Sequence, residues 1–194
     1  PGFRLMTGPG LGLFAGLTLA TVLVSLIHEG ARKLMARRLD LALDVTLRPA
    51  SLVVTLICVA FSRLFGVRPG FFYGRPLGSR VGTLQPEEVK RGRLALAGLG
   101  TTLGAGLAFW GLAWLVSWLT GVIEKLELGD VQKVLTGGLG LFEGLFLLVF
   151  FVALQRVFFE LLPFEVTSGG LLYHRRPLLW FLSFAGVSFL ILHV

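Results

Sequence analysis

The chain has 194 residues, of which 55% are hydrophobic and 15% charged, against about 25% charged in a soluble domain. With a mean hydropathy of +0.82, the apolar surplus exceeds what one core can hide, so lipid must solvate much of it; this excludes a soluble globule, and the length excludes a large receptor or many-helix carrier. The net charge of +7 comes from cations set beside apolar runs, which favours lipid headgroups over nucleic acid as the partner, and the one cysteine, Cys58, permits neither an intrachain disulfide nor a cysteine-rich metal site.

A first membrane span is expected at residues 11–27, apolar apart from Thr18, Thr21 and Ser25. It ends at His28 and Glu29, and the basic residues Arg32, Lys33, Arg37 and Arg38 that follow mark a cytoplasmic end. Residues 41–48 alternate apolar and mostly polar side chains, the period of a strand, and predict a short strand or hairpin. The run 52–62 is too short for a comfortable crossing and reads as interfacial, re-entrant or buried in the bundle. Residues 64–93, rich in Pro, Gly and basic side chains, read as a cytoplasmic loop.

The second span is expected at residues 94–119, with Gly100 and Gly104 placed for close helix packing and Gly98 and Gly106 flanking them. The loop at 121–133 lacks a basic excess and fits the outside. A third span, 134–162, carries the glycine pair Gly140 and Gly144 and stops at Pro163. Tyr173, His174, Arg175 and Arg176 return the chain to the basic side before a fourth, uncharged span at 177–194. The fold expected is an all-α integral membrane protein of about four transmembrane helices, a single domain with a strand-containing or re-entrant cytoplasmic-side insertion over residues 30–93. The charge asymmetry places the N-terminus outside and the basic loops in the cytoplasm, with the bacterial plasma membrane as the expected location.

Ionisable groups at the depth of His28 and Glu29 are functional candidates because lipid penalises them. The word His28-Glu29-Gly30-Ala31-Arg32 resembles the HExxH signature, whose two histidines at i and i+4 bind zinc on one helix face with the glutamate as general base. Three further segments follow in the same order. Arg93-Leu94-Ala95-Leu96-Ala97-Gly98 resembles a helix start with a basic residue and an Ala-Gly-Pro turn, with Leu99 in place of the proline. Glu160-Leu161-Leu162-Pro163 followed by Ser168-Gly169-Gly170 resembles an Asn-x-x-Pro-x-x-x-x-Asp-Gly element with its spacing kept, and Phe71 to Pro76 resembles a Gly-Phe-Gly-Pro segment. In this order the segments resemble those of the site-2 protease family of intramembrane zinc metalloproteases, over the chain from the first span to about Leu172. The resemblance implies a small helical bundle with a strand-containing, membrane-associated insertion between its first two core helices, where the alternating segment 41–48 falls.

The resemblance implies a lost metal site. In the family two histidines and the aspartate bind zinc; here Arg32 stands at the second histidine, Ser168 at the aspartate and Glu160 at the asparagine. A guanidinium has no lone pair and stays protonated, so it repels a cation, and one imidazole is fewer than the three protein ligands of a catalytic zinc. Arg32, three residues beyond Glu29 on one helix face, is placed to pair with it and to substitute its charge for that of the metal. The expectation is therefore no catalytic residue, no metal and no cofactor, with His28, Glu29, Arg32 and Ser168 as degenerate positions.

Simpler roles stand beside these. His28 and Glu29 can be a polar pair ending a helix at the interface. Glu143, Arg156 and Glu160 lie in the third span, where an isolated charge costs about 2.5 to 3.5 kcal/mol on insertion scales; Arg156 and Glu160, one turn apart, read as a structural ion pair near the cytoplasmic end, and Glu143 reads as reaching the outer interface. The phenylalanines of the third span read as lipid-facing or core residues, and no haem, nucleotide or phosphate-loop pattern is present. The function expected is non-catalytic: binding of a transmembrane partner, or service as a subunit of a larger membrane complex. One alternative is an active intramembrane metalloprotease with a rearranged site using His28 with Glu165 or His174; a second is a transporter or channel component.

Overall fold

A computed structural model describes residues 8–47, 53, 57, 77–81, 88–126, 129–163 and 168–193. The elements in chain order are α1 (Gly8–Arg38), β1 (Leu43–Leu47), β2 (Leu77–Val81), α2 (Glu88–Glu124), α3 (Asp130–Leu161), α4 (Ser168–Arg175) and α5 (Pro177–His193). Three stretches are long and apolar enough to cross a membrane, Gly12–Arg38, Val89–Glu124 and Asp130–Leu161, and α5 is a shorter apolar helix. The chain is thus a helical, membrane-embedded protein.

The helices outrun the apolar segments that announce them. α1, α2 and α3 have 31, 37 and 32 residues, or about 46, 55 and 48 Å at 1.5 Å per residue, against a hydrocarbon layer of about 30 Å. An apolar run marks only the part of a helix that lipid solvates. Lys, Arg and Glu are good helix formers, so α1 continues through His28 to Arg38, and α2 starts at Glu88, ahead of the position 94 expected for it. Hydroxyls inside the spans bond to their own helices: Thr18 and Thr21 donate to the carbonyls of Phe14 and Leu17 at 2.8 Å, which removes the cost of carrying them into lipid. α5, with 17 residues, is about 25 Å long. It begins at Pro177, a residue suited to a first helical turn because it lacks an N–H.

The chain divides into two compact units, Pro1–Val24 with Gly100–Val194, and Ser25–Leu99. In the first, Ala20 and Val24 of α1 pack on Val149, Val152 and Ala153 of α3, with Leu17, Leu23, Phe109 and Leu148 around them. Two glycines admit close approach: a Cβ on Gly16 would lie 2.8 Å from Leu148 Cδ1, and one on Gly106 would lie 2.9 Å from Ala153 Cβ. The expected pairs Gly100/Gly104 and Gly140/Gly144 do not serve this purpose within the chain, since nothing lies within 4 Å of a Cβ built on any of them. Spacing identifies glycines that can share a face, but which face meets a neighbour is decided by how the helix is rotated about its axis.

In the second unit, β1 and β2 form an antiparallel two-stranded sheet, with Leu43 opposite Val81 and Leu47 opposite Leu77. The strand expected at 41–48 is present as β1, but its partner is no hairpin neighbour. It comes from the segment 64–93, which read as a loop because glycines and basic residues mask a short strand; that segment supplies β2 and the first residues of α2. Leu43 is buried with Ala36 of α1 and Leu94 of α2, flanked by Met35 and Leu41. α1 is closed by Asp40, a non-glycine residue at φ 53°, while the Leu41 N–H donates to the Ala36 carbonyl at 2.9 Å. This left-handed cap turns the chain out of the helix and delivers it to β1. Of the run 52–62 only Val53 and Ile57 are described, as helical positions; the reading of that run, Cys58 and residues 64–76 lie outside the described residues.

Candidate functional site

The second unit gathers the residues of the HExxH-like word. His28 and Glu29 are buried, at 1% and 4% exposure. His28 lies against the start of α2: a Cβ on Gly98 would be 2.8 Å from its Cε1 and 3.0 Å from its Nε2. Gly98 closes the Ala95-Leu96-Ala97-Gly98 run, so a missing side chain on α2 makes the space that the imidazole fills. The same absent Cβ would lie 3.0 Å from Arg32 Cγ, which places the aliphatic stem of Arg32 on α2 as well.

Arg32 turns toward Glu29, its Nη1 3.6 Å from Glu29 Oε2, with the arginine side chain 21% exposed and the glutamate 5%. The i, i+3 spacing puts both on one face. A carboxylate this deeply buried needs a cation or donors to offset its lost hydration, and Arg32 supplies positive charge where the sequence word resembles a metal-binding one. The donor set does not fit a catalytic zinc. Arg32 offers no lone pair, and among the described residues no group of three or more His, Cys, Asp or Glu is placed to hold a metal ion.

The second half of the resemblance lies in the first unit. Glu160 is buried at 3% exposure, and Ser168 Oγ, at the start of α4, donates to its Oε2 at 3.1 Å. Pro163 forces this return. Leu162 before it is extended, at φ −56° and ψ 137°, as the residue preceding a proline must be, and the chain comes back as α4 with Gly169 against the backbone of Leu161. A carbonyl freed at the helix end, that of Leu161, accepts a 2.6 Å bond from Trp180 Nε1 on α5, satisfying an acceptor that has no partner within its own helix. Arg156, half-buried, lies one turn before Glu160 on α3.

Trp180 is the residue that sequence reasoning missed. It stacks on Phe184 at 5.4 Å between ring centroids, Phe184 stacks on Phe158 of α3 at 5.3 Å, and Tyr173 of α4 meets Trp180 edge to face at 5.1 Å. These rings hold α3, α4 and α5 together. The available signal was the only tryptophan beyond the second span, amphipathic and close to Arg175 and Arg176, the usual setting of an interface anchor.

Among the other candidates, His174 is exposed and packs on Tyr173 at 5.5 Å, and Glu165 lies outside the described residues. Lys133 and Asp130 form a 3.0 Å pair at the start of α3; both are almost fully exposed, which makes the pair worth little. Glu143 is half-buried on α3, and among the described residues neither a hydrogen bond nor an ion pair engages it.

No protein-family model, curated protein or solved structure matches this chain.

Proposed function

We propose that this chain is a non-catalytic membrane protein of site-2-protease-like architecture, which binds a transmembrane partner or serves as a subunit of a membrane assembly. One observation carries the reading: Arg32, at the position of a second metal-binding histidine, is turned toward the buried Glu29 at 3.6 Å. The arrangement keeps the glutamate of the HExxH-like word and replaces the metal's charge with a fixed organic cation. The Glu160–Ser168 bond supports the same reading, since a carboxylate and a hydroxyl that satisfy each other stand where the family carries an amide and a metal-binding carboxylate. A scaffold of this kind keeps a protected polar patch on helices otherwise coated in lipid, without an activated water.

In this reading α5 is a fourth, short span. Its length of about 25 Å is accommodated by local thinning of the bilayer or by the neighbouring Trp180 and Arg176 at the interface. The basic ends of α1 and α2 and the Arg175–Arg176 turn face the cytoplasm of a bacterial cell, and the N-terminus lies outside.

The test is elemental analysis of the purified, detergent-solubilised chain after incubation with excess zinc and removal of free metal. The expected result is no stoichiometric zinc and no cleavage of a membrane substrate. One zinc per chain, or peptidase activity abolished by His28→Ala, overturns the proposal.

A further inference from the structure

The whole of the chain's net charge of +7 is carried by the unit Ser25–Leu99, which holds twelve lysines and arginines against five acidic residues, while the remaining residues hold six of each. Within this unit the end of α1 contributes Lys33, Arg37 and Arg38, and the start of α2 contributes Lys90, Arg91 and Arg93. All are exposed except Lys90, which is half-buried. Among the described residues no ion pair engages any of the six. Arg32, by contrast, is answered by Glu29 at 3.6 Å.

Packing brings the two groups of cations to one level. Ala36 of α1 is buried with Leu94 of α2. One turn back along α1, Arg32 Cγ lies 3.0 Å from where a Cβ on Gly98 would stand, one turn forward along α2. The two helices therefore run in opposite directions through this contact, and at 1.5 Å per residue the six cations fall in a slab about 10 Å deep around Ala36 and Leu94. The apolar stretches of both helices begin on one side of the slab. There Leu34 and Leu96, each two residues from the Ala36–Leu94 contact, are 57% and 43% exposed. A cationic layer at the edge of a hydrocarbon-solvated stretch meets the phosphates of the bilayer.

Water solvates any one such cation. Six at one depth, beside leucines that acyl chains cover, suit a ligand that is anionic at one end and apolar at the other. A free phosphate or a nucleic acid would leave Leu34 and Leu96 in water, and a zwitterionic lipid brings a cation of its own into the basic layer. We propose that the basic end of α1 and α2 binds an anionic phospholipid, its phosphate held among cations of both helices and its acyl chains laid on Leu34 and Leu96. Guanidinium forks match phosphate oxygens, and the long stem of Lys33 lets its ammonium reach the same layer from its deeper position. The proposal goes beyond the non-catalytic reading above and stands whether or not that reading does.

The experiment uses the full chain, delipidated in a neutral detergent, with phosphatidylglycerol or phosphatidylcholine of the same acyl chains added and bound lipid counted by native mass spectrometry. Phosphatidylglycerol should bind at least about tenfold tighter. Lys33→Gln with Arg37→Gln should bring the two lipids to within about twofold of each other, and so should Arg91→Gln with Arg93→Gln, because the site draws on both helices; if one double variant fails to fold, the other carries the test. Lys125→Gln with Lys133→Gln removes the same charge elsewhere and should keep the preference. Inorganic phosphate at millimolar concentration should not displace the lipid. Equal binding of the two lipids, a preference unchanged in a folded double variant of either helix, an equal loss in the Lys125/Lys133 variant, or displacement by inorganic phosphate each overturns the proposal. A chain that binds zinc yet prefers phosphatidylglycerol sinks only the decayed-site reading, and a zinc-free chain without the preference sinks only this one.

Discussion

His28 fills the volume that any side chain at position 98 would need. A Cβ on Gly98 would lie 2.8 Å from the imidazole Cε1, closer than real Cβ contacts come, and 3.0 Å from Nε2. The end of α1 and the beginning of α2 are therefore keyed to each other through a single absent methyl group.

Gly98→Ala should accordingly destabilise the protein by about 1 to 3 kcal/mol, the usual cost of overpacking a filled interior. His28→Ala in the same background should recover part of the loss. Thermal unfolding of the four variants in detergent measures this, and strictly additive effects would show that the two positions do not touch.

The Arg32–Glu29 pair gives a second cycle. Removing only the cation, in Arg32→Met, leaves a carboxylate buried at 5% side-chain exposure without that neighbour's charge, and should cost about 1 to 3 kcal/mol, reduced from the value for a fully buried pair because the arginine is partly solvated. The double change Glu29→Gln with Arg32→Met should lie much closer to the parent protein. A double variant as unstable as the two single losses combined would mean that the groups are held by unrelated partners.

At the α3–α4 return, Ser168→Ala withdraws the hydroxyl that donates to buried Glu160, a loss of about 1 to 3 kcal/mol. Trp180→Phe keeps an aromatic ring beside Phe184 while removing the 2.6 Å bond to the Leu161 carbonyl, and should cost about 1 kcal/mol. Unfolding followed by tryptophan fluorescence suits the first variant and circular dichroism the second.

Two glycines on α2 should respond oppositely. Gly106→Leu drives a side chain into Ala153 of α3, where a Cβ already lies 2.9 Å away, whereas Gly104→Leu meets nothing within 4 Å. The first should lower the unfolding temperature sharply, and the second should leave the isolated chain within about 0.5 kcal/mol of the parent. Equal effects would contradict the rotation of α2 described above.

Asp40 occupies left-handed backbone at φ 53°. Asp40→Gly should be tolerated or mildly stabilising, whereas Asp40→Val should cost about 1 to 2 kcal/mol, because a β-branched side chain clashes with the following peptide in that conformation. Chemical denaturation of both variants tests the cap.

By itself the sequence determined the solvent. A chain so apolar and so weakly charged could only be a helical membrane protein, and Pro163 and Pro177 fixed where α3 ends and where α5 begins, because proline restricts its own φ, lacks an N–H and constrains the residue before it. Alternation at 41–48 announced β1, and the spacing of Glu29 and Arg32 announced that they could meet, since both are properties of a short, local stretch. Tertiary structure alone decided the rest. The partner of β1 came from far along the chain, the glycines of the long helices that meet close neighbours proved to be Gly16, Gly98 and Gly106 rather than Gly100, Gly104, Gly140 and Gly144, and Trp180 was recruited to a carbonyl on another helix. Each depends on how one element is rotated and set against another, which is fixed by the sum of many weak contacts made only when the helices pack, and no local pattern of residues encodes that sum.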